Sequence, residues 1–144
     1  MLAVIAIAVG IGAWFKPAPK PEAPAAKTYS EQEVADAKKA ACDAFTNAHD
    51  MLVSNSKRGG TNPTEVLIAG VNTRLAVLTA GSYIDAALNQ NPALASDLAE
   101  KLRQLSSTYM TIAVDQLGET SQEKLDEIYQ DAETNAKAIS EACT

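Results

Sequence analysis

Cys42, Cys143 and His49 are the only cysteines and the only histidine in the chain, and so the side chains best suited to covalent or metal chemistry. A thiol nucleophile needs a base within about 3 Å. Two turns of helix put Cys42 and His49 on one face but about 10 Å apart. The pair fails as a catalytic dyad, and His49 reads as a polar-face or boundary residue. Two cysteines and one histidine without a close C-x-x-C pair do not make a zinc site either. What remains is a disulfide between Cys42 and Cys143. It would close a loop of about a hundred residues and contribute at most roughly 4–5 kcal/mol by restricting the unfolded chain. The competing reading is two separate buried thiols behaving as small apolar groups. A bridge is expected only in an oxidising compartment.

Other reactive side chains lack companions. Asp126, Glu127, Asp131 and Glu133 fall in a helical stretch without Glu-x-x-His, so they read as a solvated face and not as a di-iron site. Gly59-Gly60 lacks the lysine of a phosphate loop and reads as a turn. Ser106-Ser107 and the four tyrosines (Tyr29, Tyr83, Tyr109, Tyr129) have no base beside them in sequence. Tyr83 and Tyr109 lie on apolar stripes and are expected in the core or at its rim. No catalytic, cofactor-binding or metal-binding residue is assigned, and the expectation is a non-catalytic protein.

The elements that would position these residues are helical. The chain of 144 residues has room for one domain and an appendage, and 47% of it is apolar but only 5% aromatic. Alanine supplies much of the difference, which favours closely packed helices over sheets needing β-branched or aromatic side chains. The net charge of −6 excludes nucleic acid as a natural partner. Lys16, Lys20, Lys27 and Glu22 take three of the twelve basic and one of the eighteen acidic residues, leaving a net of −8 beyond Lys27.

Four helices follow from the spacing. Ser30-Glu31-Gln32-Glu33 is a capping box, followed by Val34, Ala37, Ala41, Phe45, Ala48 and Leu52 at helical intervals. Asn62-Pro63 opens a second helix, with a stripe through Val66, Ala69/Gly70, Thr73, Val77, Ala80, Ile84 and Leu88. Asn91-Pro92 is expected to open a third in the same way, running through Leu94, Leu98, Leu102, Leu105, Tyr109, Ile112 and Leu117 to a cap at Gly118. Thr120-Ser121-Gln122-Glu123 reads as a second capping box before Leu125, Ile128, Ala132, Ala136 and Ile139. Short connections between long helices predict an all-α, antiparallel up-down four-helix bundle over residues 30–144. In that topology the first and fourth helices are neighbours, which brings Cys143 towards Cys42.

Residues 1–15 carry no charged or strongly polar side chain and end at Trp14-Phe15-Lys16, an aromatic pair and a cation of the kind found at a membrane interface. Fifteen residues of helix span roughly 22 Å against a hydrocarbon core of about 30 Å. A cleaved signal peptide would have a basic start and a nearer small-residue site than Ala23-Pro24-Ala25. A packed core helix is opposed by the prolines that follow. The expectation is therefore a membrane helix that begins upstream of Met1. Residues 16–29 hold Pro17, Pro19, Pro21 and Pro24 and predict an extended tether reaching roughly 40 Å. Its lysines alone would favour a cytoplasmic domain; the expected Cys42–Cys143 bridge favours an extracytoplasmic one, and that placement is adopted.

The apolar segment ending Ala13-Trp14-Phe15, the Pro/Ala tether, the run from Thr28 to Ala37 leading to Cys42, and Asn91-Pro92-Ala93-Leu94 together resemble small actinobacterial, especially mycobacterial, alanine- and proline-rich membrane proteins. The domain here is richer in lysine and less dense in alanine, and no proline-rich head precedes the apolar segment. The resemblance implies a single-pass topology and an envelope location, not an activity. The functional expectation is interaction or scaffolding with another membrane or envelope protein. The alternative is a small-ligand or lipid-binding bundle, in which Ala69, Gly70, Ala76, Ala80, Gly81, Ala86 and Ala87 would leave a groove or else permit close helix packing.

Overall fold

A computed structural model describes residues 27–118 and 120–144. The expected anchor at 1–15, its Trp14-Phe15-Lys16 interface and most of the tether lie outside them. The described chain is all-helical and contains four helices and no strand: α1 (Glu31–Ser56), α2 (Pro63–Gln90), α3 (Ser96–Leu117) and α4 (Gln122–Cys143).

Two of the four helix starts follow the sequence reading. The Ser30 side chain accepts from the Glu33 amide, and the Glu33 carboxylate accepts from the Ser30 amide at 2.8 Å, completing the capping box. Asn62 caps the Glu65 amide, with Pro63 in the first turn of α2. The other two starts differ. Asn91 ends α2 and does not open α3: its side-chain amide donates to the Ala87 carbonyl at 2.7 Å. Residues 92–94 form a turn, and α3 begins at Ser96 after Ala95, which has no side-chain acceptor to offer. At α4 the capping residue is Ser121, one place later than expected, and its hydroxyl makes no capping bond.

Helices pack in chain order, α2 against α3 most extensively, then α1 against α2 and α3 against α4. The core between them is built from Phe45, Val77, Ile84, Leu102, Leu105, Ile112 and Ile139, each of which is buried. Gly81 lets α2 and α3 approach closely, since a Cβ there would stand 2.9 Å from the Ser106 carbonyl oxygen. Ser106, the one buried polar residue among the described residues, donates its hydroxyl to the Gly81 carbonyl at 3.0 Å. Asn135 of α4 donates in the same manner to the Lys101 carbonyl of α3.

Contact between α1 and α4 is sparse. Cys42 and Cys143 stand at disulfide distance with Cα atoms 5.7 Å apart, so the expected cysteine pair is formed. Away from that staple the two helices diverge.

Helix α2 departs from a single-stripe pattern. Val77, Ala80, Ile84 and Leu88 are buried as their spacing predicted, but Val66 is 57% exposed. By length and composition α2 is apolar enough to cross a membrane, yet its C-terminal half forms part of the bundle core.

Candidate functional site

The chemistry-bearing residues do not converge. Cys42 and Cys143 are consumed by each other. His49 is exposed and stacks on Phe45 one turn earlier, with ring centroids 5.8 Å apart. Asp126, Glu127, Asp131 and Glu133 are all exposed, and Gly59-Gly60 lies between α1 and α2. Among the described residues no group of three or more His, Cys, Asp or Glu side chains is arranged to hold a metal ion.

Two features stand out instead, and neither was singled out from sequence. The first is a cleft of about 650 Å³ where α1 and α4 diverge below the cysteine staple. Phe45, Leu52 and Val53 form its α1 wall, and Tyr129, Ala132 and Ala136 its α4 wall. Val77 of α2 and Tyr109 of α3 form the floor, while His49, Glu133, Lys137 and Ser140 lie around the mouth. At one end the Asn55 side-chain amide donates to the Thr73 hydroxyl at 3.2 Å, and that hydroxyl donates on to the Ala69 carbonyl at 3.0 Å.

Tyr109 is only 7% exposed, and its hydroxyl, which has no hydrogen-bond partner among the described residues, opens onto this cleft. Burial pushes its pKa up to about 12, so at neutral pH it is a fully protonated donor. Tyr129 differs: its hydroxyl accepts from the Gln116 amide at 2.6 Å, and burial together with the nearby Asp126 raises its pKa. None of the small residues of α2 considered above lines the cleft. Ala76, Ala80 and Gly81 serve close packing, and the cavity comes from the angle between α1 and α4.

The second feature is an exposed apolar surface running from the first turn of α2 to just past its middle. Val66, Leu67, Ile68, Val71, Leu75 and Leu78 are 44–65% exposed. Asn55, next to the end of α1, meets Thr73 of α2, so residues 63–71 project beyond α1 by about 13 Å. The antiparallel register set by Gly81 against Met110 brings Leu75 and Leu78 level with Val114 and Leu117 of α3, both strongly exposed. Lys57 and Arg58 lie exposed in the loop leading to this tip. Six large aliphatic side chains concentrated on one helix end exceed the scattered apolar exposure of an ordinary surface.

No protein-family model matches the chain, and no curated protein or solved structure shows significant similarity to it.

Proposed function

We propose that the chain is a non-catalytic, membrane-anchored interaction protein that presents its helical domain outside the cytoplasm and binds a membrane or envelope protein through the apolar face of α2. The observation that carries this reading is the exposed run Val66, Leu67, Ile68, Val71, Leu75 and Leu78. Leaving so much aliphatic surface in water costs about 25 cal/mol per Å², and a partner surface would remove that cost. The extracytoplasmic placement is supported by the Cys42–Cys143 pair, because such bridges persist in oxidising compartments. The anchor and tether are supported by the composition of residues 1–29 and by the resemblance to actinobacterial proteins.

Photocrosslinking tests this reading. A photoreactive amino acid at Leu67 or Leu75 of the full chain, irradiated in intact cells, should give a discrete adduct with one envelope protein. The same probe at Lys38 on the exposed side of α1 should not. Adducts that are absent, or equally abundant from both faces, contradict it.

A second reading, a small-ligand or lipid-binding bundle, is favoured by the cleft between α1 and α4 and its unpartnered Tyr109 hydroxyl.

A further inference from the structure

We infer that the α1–α4 cleft binds a single-chain lipid with a carboxyl head, of the long-chain fatty acid class, and that the Tyr109 hydroxyl donates to its head. The inference rests on the ligand-binding reading of the cleft and assigns that site a ligand class.

Three observations converge on such a molecule. The first is Tyr109 itself. Its ring is buried at the floor of the cleft, and its hydroxyl borders the cleft with no hydrogen-bond partner among the described residues. A ligand oxygen that accepts from it forms a hydrogen bond in a largely apolar setting. The phenol O–H can donate to an acceptor group on the ligand, as a carboxyl oxygen is.

The second is the character of the walls. Phe45, Leu52, Val77, Ala132 and Ala136 form an apolar lane, and Asn55 and Thr73 at its end are already paired with each other. A volume of about 650 Å³ falls in the range of small-molecule sites. A peptide helix is about 10–12 Å across, so two turns of one occupy about 1,000 Å³ and exceed the space. An aliphatic chain fits within it.

The third is charge. Lys137 stands at the mouth and enters no ion pair among the described residues, whose two salt bridges join Lys39 to Asp43 and Lys124 to Asp115. His49, on the α1 wall, also lines the mouth. Glu133, one turn before Lys137, is the one acidic group at the mouth. In a domain of net negative charge, an unpaired lysine at the mouth of an apolar lane favours the entry of an anionic ligand.

The test uses the full chain in lipid nanodiscs with a diazirine analogue of palmitic acid, and maps adducts by mass spectrometry. Adducts should fall on the walls around Leu52 and Ala132 and be competed by unlabelled palmitic acid. Tyr109→Phe, which removes only the hydroxyl, should raise the competing concentration about tenfold. Val53→Trp, at an exposed lining position, should abolish cleft adducts; circular dichroism of both variants checks that the bundle is retained. Equal labelling by a diazirine analogue of hexadecyltrimethylammonium, or indifference to Tyr109→Phe, overturns the carboxyl assignment while leaving the cleft a site for another ligand class. Adducts only outside the cleft, or a cleft crosslinked to residues 1–15 of the same chain, overturn both.

Discussion

Asn55 donates from its side-chain amide to the Thr73 hydroxyl across 3.2 Å, and this bond marks the level at which α1 ends while α2 continues. Below it the two helices share a core. Beyond it the first turns of α2 stand without a partner helix, and their aliphatic side chains are exposed. The exposure of Val66, Leu67, Ile68 and Val71 is thus a consequence of register: α2 starts too early in space for α1 to cover them.

That relationship predicts a separation of stability from binding. Leu67→Glu with Ile68→Lys should leave the thermal midpoint nearly unchanged, because exposed positions alter stability by only about ±0.5 kcal/mol. The same double substitution should abolish the envelope-protein adduct. Ile112→Ala, at a fully buried position, should instead cost about 2–5 kcal/mol. Thermal denaturation of the two variants checks both expectations.

The two small residues at 70 and 81 should respond in opposite directions. A Cβ at Gly81 meets the Ser106 carbonyl oxygen and the Met110 side chain, so Gly81→Ala should destabilise by about 1–3 kcal/mol through overpacking. A Cβ at Gly70 meets nothing within 4 Å. Gly70→Ala should therefore stabilise the helix by up to about 1 kcal/mol. Denaturant midpoints measured at constant m-value decide it.

Tyr109 predicts an alkaline signature. Its folded pKa of about 12 lies above the ordinary value of 10.0, so the folded state favours the protonated phenol. The associated stability is fully present below pH 10 and is lost as pH rises through about 12. Tyr109→Phe should flatten that loss between pH 10 and 12. Stability measured across this range, with phenolate absorbance followed in parallel, tests it.

At the other end of the pH scale the capping box should respond. The Glu33 carboxylate is held below its ordinary value of 4.5, chiefly by the Ser30 amide that donates to it. A depressed pKa contributes stability above the unfolded value that fades as pH falls through the folded one. Glu33→Gln, which removes the titrating carboxylate, should weaken the helix start at neutral pH and abolish its acid sensitivity below about pH 4.5. Amide exchange at Val34 and Ala35 reports both effects.

How much of this was legible in sequence varied with the kind of information each feature needs. Local signals worked where the cap residue had a free amide to bind: Ser30 and Asn62 both did. Asn91 carried the same signal, but its side chain was taken by the Ala87 carbonyl, which delayed α3 to Ser96. Cys42 and Cys143 were paired from topology alone, because antiparallel neighbours bring those two helix levels together. The exposed half of α2 was hidden by reading one stripe through Val66 and Thr73. The overlooked signal was that Val66, Leu67, Ile68 and Val71 make the helix apolar on every side. Stripes report which faces are apolar, not the angle at which helices cross. The cleft and its floor at Tyr109 depend on the divergence of α1 from α4 and had no sequence signature.

Display of the domain outside the cytoplasm is tested most directly by thiol labelling in intact cells. Cys42 and Cys143 should resist a membrane-impermeant maleimide until an impermeant reductant is added outside, after which both should react without lysis. Thiols that react only after lysis, and without any reductant, would place the domain in the cytoplasm and contradict the account.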